Sequence, residues 1–237
     1  MTRRNFWWAM FCLGIAVILF AAAMMYFTRR AYRNAEVLYE ETSKAYVTPV
    51  EVQEPVEDVA YAREEIHWSD LIRVDLDGMM AEYPDVIGWL YFEDGEISYP
   101  ILYSGDNETY LRKSFHGEAS SAGSIFLDAD NAPDFSDEVT VLFGHNMRDH
   151  SMFGKLRNYP YSEEEGEAHA FVQVHTKGGK YRYRIAAGAD VADTDVWTPL
   201  AAGEQVLNLC TCTASDEKRR VVTAILVDRK LSENVIQ

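Results

Sequence analysis

Cysteine is scarce in this chain, three residues among 237, and Cys12 sits inside an apolar run where it reads as a small hydrophobe. The other two, Cys210 and Cys212, are too few and too close for a disulfide framework, and a C-x-C step without a companion Cys/His cluster makes a poor zinc site. No metal and no other cofactor is expected. Basic residues are also in deficit: 22 Lys and Arg against 38 Asp and Glu leave a formal charge of −16. A surface of that sign repels phosphate backbones, which argues against nucleic acid as a partner. The acidity lies mainly between Glu51 and Asp77 and between Asp128 and Glu167, so the basic run Lys218, Arg219, Arg220 stands out. No internal repeat is present, nor any low-complexity tract beyond the acidic stretch EVQEPVED, and the length suits one core.

What the chain does have is a long run without charge. Phe6 to Phe27 reads FWWAMFCLGIAVILFAAAMMYF, enough at ~1.5 Å per residue to cross a hydrocarbon core of ~30 Å as a helix. Trp7, Trp8 and Tyr26 stand where interfacial aromatics would anchor it. Two rival readings are a buried core helix and a cleavable signal peptide ending near Ala21 to Ala23, although the run exceeds the ~7–15 residues of a signal h-region. Arg3 and Arg4 before the run, and Arg29, Arg30 and Arg33 after it, leave the orientation undecided by charge. Residues 1–28 are therefore read as a single-pass membrane anchor. Residues 29–65 read as a helical stem passing into a solvated acidic linker, and residues 66–237 as a domain that folds without the anchor.

Within that domain Asp75 to Glu82 predicts a short helix stopped by Pro84. From Val86 onward the signals are those of strands: VIGWLYF, SYPILY, GSIFLD, VTVLFG, AFVQVHT, KYRYRIAAGADV, QVLNLCT and RVVTAILVDRKL are β-branched or aromatic runs separated by turn residues. Eight such runs at this spacing predict a mainly β fold, a barrel or a sandwich.

A reactive thiol at Cys212 would need partial exposure and a nearby base or cation. Among six histidines, His145 follows an apolar strand and a glycine in VLFGHNM, at a strand end where a side chain is presented to a groove. His67 and His116 flank polar segments, His150 is in a loop, His169 follows an acidic run, and His175 lies on an alternating strand. Strand alternation puts Arg219, Val221 and Thr223 on one face and Arg220, Val222 and Ala224 on the other. A guanidinium on an apolar face is costly unless paired or used, whereas an edge-strand charge that discourages aggregation accounts for the same residue. The residues alone leave that choice open.

Several segments together resemble the class B sortases. GHNMRDHSMFGKL resembles their histidine segment, SAGSIFLDADN and SYPILYSGDNETYLRKSF their two preceding strands, and LCTC followed by RRVVTAIL their Leu-x-Thr-Cys and Arg-x-Val-Val segments. The resemblance runs from about Val74 to Leu231, with the motifs in order. It implies a sortase-type eight-stranded β-barrel with short helices, preceded by a single N-terminal transmembrane helix. It also implies a cysteine transpeptidase in which Cys212 is the nucleophile, His145 the acid/base partner and Arg219 the oxyanion stabiliser. Arg220, on the opposite, outward face, is expected to be an exposed charge. Asn107 and Leu111 match the family's groove residues, and Cys210 and Thr211 complete the implied substrate-contacting set.

The implied partners are surface proteins bearing a C-terminal sorting signal cleaved after Thr, and an amine of a peptidoglycan precursor or a pilin-like protein. The implied location is the cell membrane, with the catalytic domain outside. Two departures stand out: Cys210 replaces the usual Ser two residues before the cysteine, and the connection from Ala192 to Glu204 is short where the class carries a helix. Rival functions are a thiol–disulfide oxidoreductase using Cys210 and Cys212, and an inactive sortase-fold scaffold.

Overall fold

The computed structural model describes residues 3–50, 68–159, 171–197, 203–212 and 218–232. Helix α1 runs unbroken from Arg3 to Tyr46, so the apolar run and the stem form one rod. Its apolar part is long enough to cross a membrane, and none of that part is buried against the rest of the chain. Further along, Tyr32, Ala35, Leu38, Tyr39 and Thr42 recur at helical spacing and turn one stripe toward the barrel, with Tyr39 and Thr42 buried. Strand β1 (Val47–Pro49) follows at once and pairs antiparallel with β2 (Ile72–Val74). Helix α2 (Leu76–Glu82) starts where the Asp75 carboxylate accepts from the Gly78 N–H at 2.9 Å.

All eight strand runs seen in the sequence form the barrel. They are β3 (Val86–Phe92), β4 (Ser98–Leu102), β5 (Ile125–Leu127), β6 (Val139–Phe143), β7 (Phe171–Thr176), β8 (Gly179–Ala192), β9 (Val206–Cys212) and β10 (Lys218–Leu231). They close in the order β10-β8-β7-β3-β4-β5-β6-β9, with β9 paired back to β10. Two pairings are parallel, β4 with β5 and β6 with β9, and the others antiparallel. Leu90, Phe92, Val172, Val174, Leu207, Leu209 and Val222 belong to the main core; each such side chain contributes on the order of 1.5–3 kcal/mol on leaving water. A smaller cluster of Val141, Val196, Cys210 and Val221 forms on the opposite face of β6, β9 and β10. The Asn208 amide secures its cover by donating to the Val196 carbonyl at 2.7 Å. The described start of the β8–β9 connection thus lies over the outer sheet face and holds a short 3-10 turn, Asp193–Asp195.

The acidic linker and the expected domain start at residue 66 lie outside the described residues. On the described side, strand signals expected from Val86 onward are preceded by β1 and β2, with β1 ahead of the linker, and Tyr39 of the stem enters the core. Short polar strands such as VTP carry no hydrophobic alternation, so only the tertiary partner reveals them. A fragment spanning residues 30–237 is therefore expected to melt higher than one spanning 66–237, by the order of one buried aromatic side chain or more; equal melting temperatures would make the stem dispensable.

A buried polar chain ties β3, β7 and β8 to the Trp68 turn. Gln173 donates to the Trp68 carbonyl at 3.0 Å and to Glu93 at 2.7 Å, while Arg182 makes two bonds to Glu93 at 2.8 and 2.7 Å. His175 joins through its Nε2, which donates to Gln173 Oε1 at 2.8 Å. Burial, and secondarily the charge of Lys180, push the His175 pKa from its ordinary 6.5 down to about 3. The unfolded chain takes up this proton near pH 6.5 and the folded chain only near pH 3, so stability is full above 6.5 and falls as pH drops through that window. Thermal melts at pH 7 and pH 4 should show this loss, and His175→Gln should flatten it; an unchanged slope would remove His175 from the acid response.

Candidate active site

Strands β6 and β9 run parallel in a register that pairs Phe143 with Cys210. His145 and Cys212 each lie two residues further on, so they come to the same barrel rim at the same level. Strand β10 leaves that rim antiparallel to β9, and its register sets Arg219 directly opposite Cys212. Residues that are direct partners across a sheet project from the same face. The His145 segment and the distant pair Cys212 and Arg219 are thereby brought to one rim by backbone pairing alone.

Gly144 makes the turn out of β6 possible. Its N–H continues the ladder by donating to the Cys210 carbonyl at 3.1 Å. A Cβ at this position would stand 2.4 Å from Ile125 Cδ1 and 2.7 Å from Phe153 Cδ2, so no larger residue fits without displacing them. His145 follows, half-buried, with its carbonyl accepting from the Phe153 N–H at 3.0 Å. Its ring Nε2 lies 2.6 Å from the Leu111 carbonyl oxygen. A carbonyl oxygen only accepts, so Nε2 carries a proton, and Nδ1 is left as the nitrogen that can take up or release one.

A cavity of about 220 Å³ opens beside the ring and is lined by Asn107, Leu111, His145, Cys210, Thr211 and Arg219. These are six of the seven residues singled out in the sequence. Phe126 and Phe143 add apolar wall that the sequence reading did not select, since on pattern alone they are ordinary strand aromatics.

The members differ in how they are held. The Asn107 amide is engaged at each end, its Nδ2 with Asp128 at 3.2 Å and its Oδ1 with the Ala129 N–H at 2.9 Å, so it also braces the loop after β5. Leu111 is 38% exposed and offers its side chain to the cavity. The work of its carbonyl on His145 had no signal in the sequence, because every residue has a carbonyl. Cys210 is fully buried under the Val141–Val196–Val221 cluster. Thr211 is buried too, and its hydroxyl has no hydrogen-bond partner among the described residues.

Arg220 does not behave as an exposed charge, and that expectation is corrected. Alternation turns it toward the barrel side, where Nη2 donates to the Tyr159 carbonyl at 2.6 Å and Nη1 lies 3.5 Å from Asp190. It thereby anchors the 3-10 turn Phe153–Asn158 that follows the histidine loop. Arg219, on the outer face, is the arginine beside Cys212 and the cavity. The other histidines have separate surroundings. His116 stacks on Tyr83 with ring centroids 4.8 Å apart, His150 sits exposed in its loop, and His175 belongs to the buried polar chain. His67 and His169 lie outside the described residues.

The sortase domain model matches residues 90–227, more than half the chain, and the chain belongs to the sortase family. Its relatives are class B sortases. Sortase B of Listeria monocytogenes is 46% identical over 88 residues, which is 37% of this chain and 36% of that protein. The matched stretch thus spans little more than a third of that curated relative's length. The crystal structure of sortase B from B. anthracis in complex with AAEK1 is 25% identical and covers 84% of this chain and 99% of that one, with a TM-score of 0.63. A class B sortase of Streptococcus pyogenes involved in pilus biogenesis is 27% identical and covers 65% of this chain and 98% of that one, with a TM-score of 0.57.

Substituting Arg220 tests the corrected role. Arg220→Ala strips the Tyr159 carbonyl of its donor and is expected to destabilise the domain by about 1.5–3 kcal/mol, the range for bonds to a charged group. Urea unfolding would measure it; a loss below a few tenths would return Arg220 to the class of surface charges.

Proposed function

We propose that this chain is a membrane-anchored cysteine transpeptidase that cleaves a C-terminal sorting signal after Thr and passes the acyl group to an amine. The observation that carries the reading is the shared rim: the backbone register of parallel β6 and β9 and antiparallel β10 brings Cys212 level with His145 and Arg219, and the latter two line one cavity. Membership of the sortase family supports the same chemistry.

In this reading the Cys212 thiolate attacks the carbonyl carbon that follows the Thr side chain, and the carbonyl oxygen becomes an oxyanion. Arg219 is permanently charged and holds several N–H donors in a fixed fork, so its bonds strengthen as that negative charge develops. Collapse of the tetrahedral adduct breaks the C–N bond and leaves a thioester, while His145 gives its Nδ1 proton to the departing amine. An incoming amine then loses a proton to His145 and attacks the thioester, which breaks the C–S bond and restores the Cys212 thiolate beside a protonated His145. No redox step and no cofactor enters.

The substrate side of the cavity is mostly apolar wall with few polar groups, as a peptide groove requires. Asn107 and Leu111 are the proposed direct contacts, with the buried Cys210 and Thr211 as the wall behind them. The acceptor is an amine of a peptidoglycan precursor or of a pilin-like protein; involvement of the S. pyogenes relative in pilus biogenesis supports the second source. Helix α1 supplies the membrane link, and the catalytic domain faces outward.

The oxidoreductase alternative is opposed by Cys210, which has no exposed surface for an exchanging thiol. Residues two apart on a strand also stand near the outer limit of disulfide Cα separation, ~6.8 Å.

Single-turnover acylation with a library of sorting-signal peptides tests the proposal. Cys212→Ala is expected to form no thioester and Cys210→Ser to keep most activity. Arg219→Ala should slow acylation by about 10²- to 10³-fold, the usual loss for one oxyanion donor, with peptide binding much less affected. Activity that survives Cys212→Ala but not Cys210→Ser would overturn the assignment.

A further inference from the structure

Tyr39 lies on the stem half of α1, ahead of residues 90–227 that the sortase domain model matches, yet it is only 5% exposed and reaches the loop that cradles the histidine. Its hydroxyl donates to the Gly123 carbonyl at 2.7 Å and lies 3.1 Å from Ser124 Oγ. Ser124 in turn donates through Oγ to the Lys113 carbonyl at 2.8 Å and through its N–H to the Tyr110 carbonyl at 3.0 Å. The Gly123–Ser124 step is thus stitched on one side to the helix and on the other to the Tyr110–Lys113 segment that contains Leu111.

Gly123 is also pressed against the histidine itself. It adopts φ +58°, and a Cβ there would stand 2.7 and 2.8 Å from the carbonyl oxygens of Tyr110 and Leu111 and 3.1 Å from His145 Cδ2. That leaves no slack between this glycine, the imidazole ring and the carbonyl that accepts from it. The Tyr39 ring braces the other side of the site as well. It meets Tyr99 edge-on at 5.2 Å, and the Tyr99 hydroxyl accepts from the Met152 N–H at 3.0 Å, next to the Phe153 N–H that holds the His145 carbonyl.

We infer that Tyr39 is a positioning residue for His145, through which the membrane-proximal helix holds the imidazole in its Nε2–H form against the Leu111 carbonyl. The inference deepens the transpeptidase reading and rests on it for the acid/base role of His145. Removing the hydroxyl leaves the ring packed but frees the Gly123–Ser124 step. The imidazole then loses its fixed tautomer, and turnover suffers while substrate binding does not.

The test uses the full chain in detergent micelles with 15N-labelled histidine. Tyr39→Phe removes only the hydroxyl. Thr42→Val is the control: it deletes a buried hydroxyl on the same helix whose one bond, to the Leu38 carbonyl at 2.7 Å, leads nowhere near the site. In the wild-type chain His145 should show the nitrogen shifts of a single Nε2–H tautomer. In Tyr39→Phe these should move toward averaged values, and kcat for peptide cleavage should fall about ten- to a hundredfold at unchanged KM, the scale of a slightly misplaced catalytic group. Thr42→Val should match the wild type on each count. Ser124→Ala cuts the same bridge from the barrel side without touching the helix, and it should move the His145 shifts in the same direction. Wild-type His145 shifts in both Tyr39→Phe and Ser124→Ala, an unchanged kcat, or an equal response in Thr42→Val would overturn the inference. Should the wild-type chain cleave no sorting peptide, the transpeptidase reading falls, and the nitrogen shifts still decide whether Tyr39 sets the state of His145.

Discussion

The parallel pairing of β6 with β9 is the constraint on which the site depends. Two parallel strands end at the same rim, whereas antiparallel neighbours end at opposite ones. The residues just past β6 and at the end of β9 are therefore neighbours without any loop having to reach, and β10 starts from the same rim because it turns back against β9. The register leaves no freedom: a slip of one residue would exchange the faces of Cys212 and Arg219 with those of Thr211 and Arg220. Such a slip is resisted by two hydrophobic clusters at once, since it would carry Leu207, Leu209 and Val222 out of the main core and Cys210 and Val221 out of the outer one.

Burial on each sheet face divides the labour along β10. Its inward residues end with Arg220, which satisfies backbone carbonyls of the turn after the histidine loop. Its outward residues end with Arg219 at the cavity. Two adjacent arginines of the same chemistry thus face opposite ways, one bonded into the fold and the other lining the cavity. The β8–β9 connection completes the arrangement by laying Val196 over Cys210, which turns a thiol into a piece of apolar core. That burial leaves the Cys210 thiol no surface from which to exchange with a disulfide outside.

Helix α1 joins two environments in one element. Its first half presents apolar side chains on all sides, as a lipid-facing rod does, and its second half narrows to one stripe that docks on the barrel. No hinge residue interrupts the helix between them, so whatever orients the rod also orients the barrel and, through Tyr39, the loops around His145.

Sequence alone determined the elements whose signals are local. Eight β-branched or aromatic runs became the eight barrel strands, and the apolar run became the start of a long helix, because hydrophobic periodicity and length act on each segment separately. Short motifs likewise marked His145, Cys212 and Arg219, the residues that the proposed chemistry uses. Tertiary structure decided what depends on a partner distant in the chain. Strand β1 exists only because β2 lies beside it, and the facing of Arg220 follows from which side of the sheet closes into the barrel. The state of the His145 ring is set by a backbone carbonyl at Leu111, and that carbonyl lies beside a glycine held by Tyr39. Backbone carbonyls and cross-chain contacts leave no trace in residue type, since every residue offers the same carbonyl and only the folded path decides which one meets the ring.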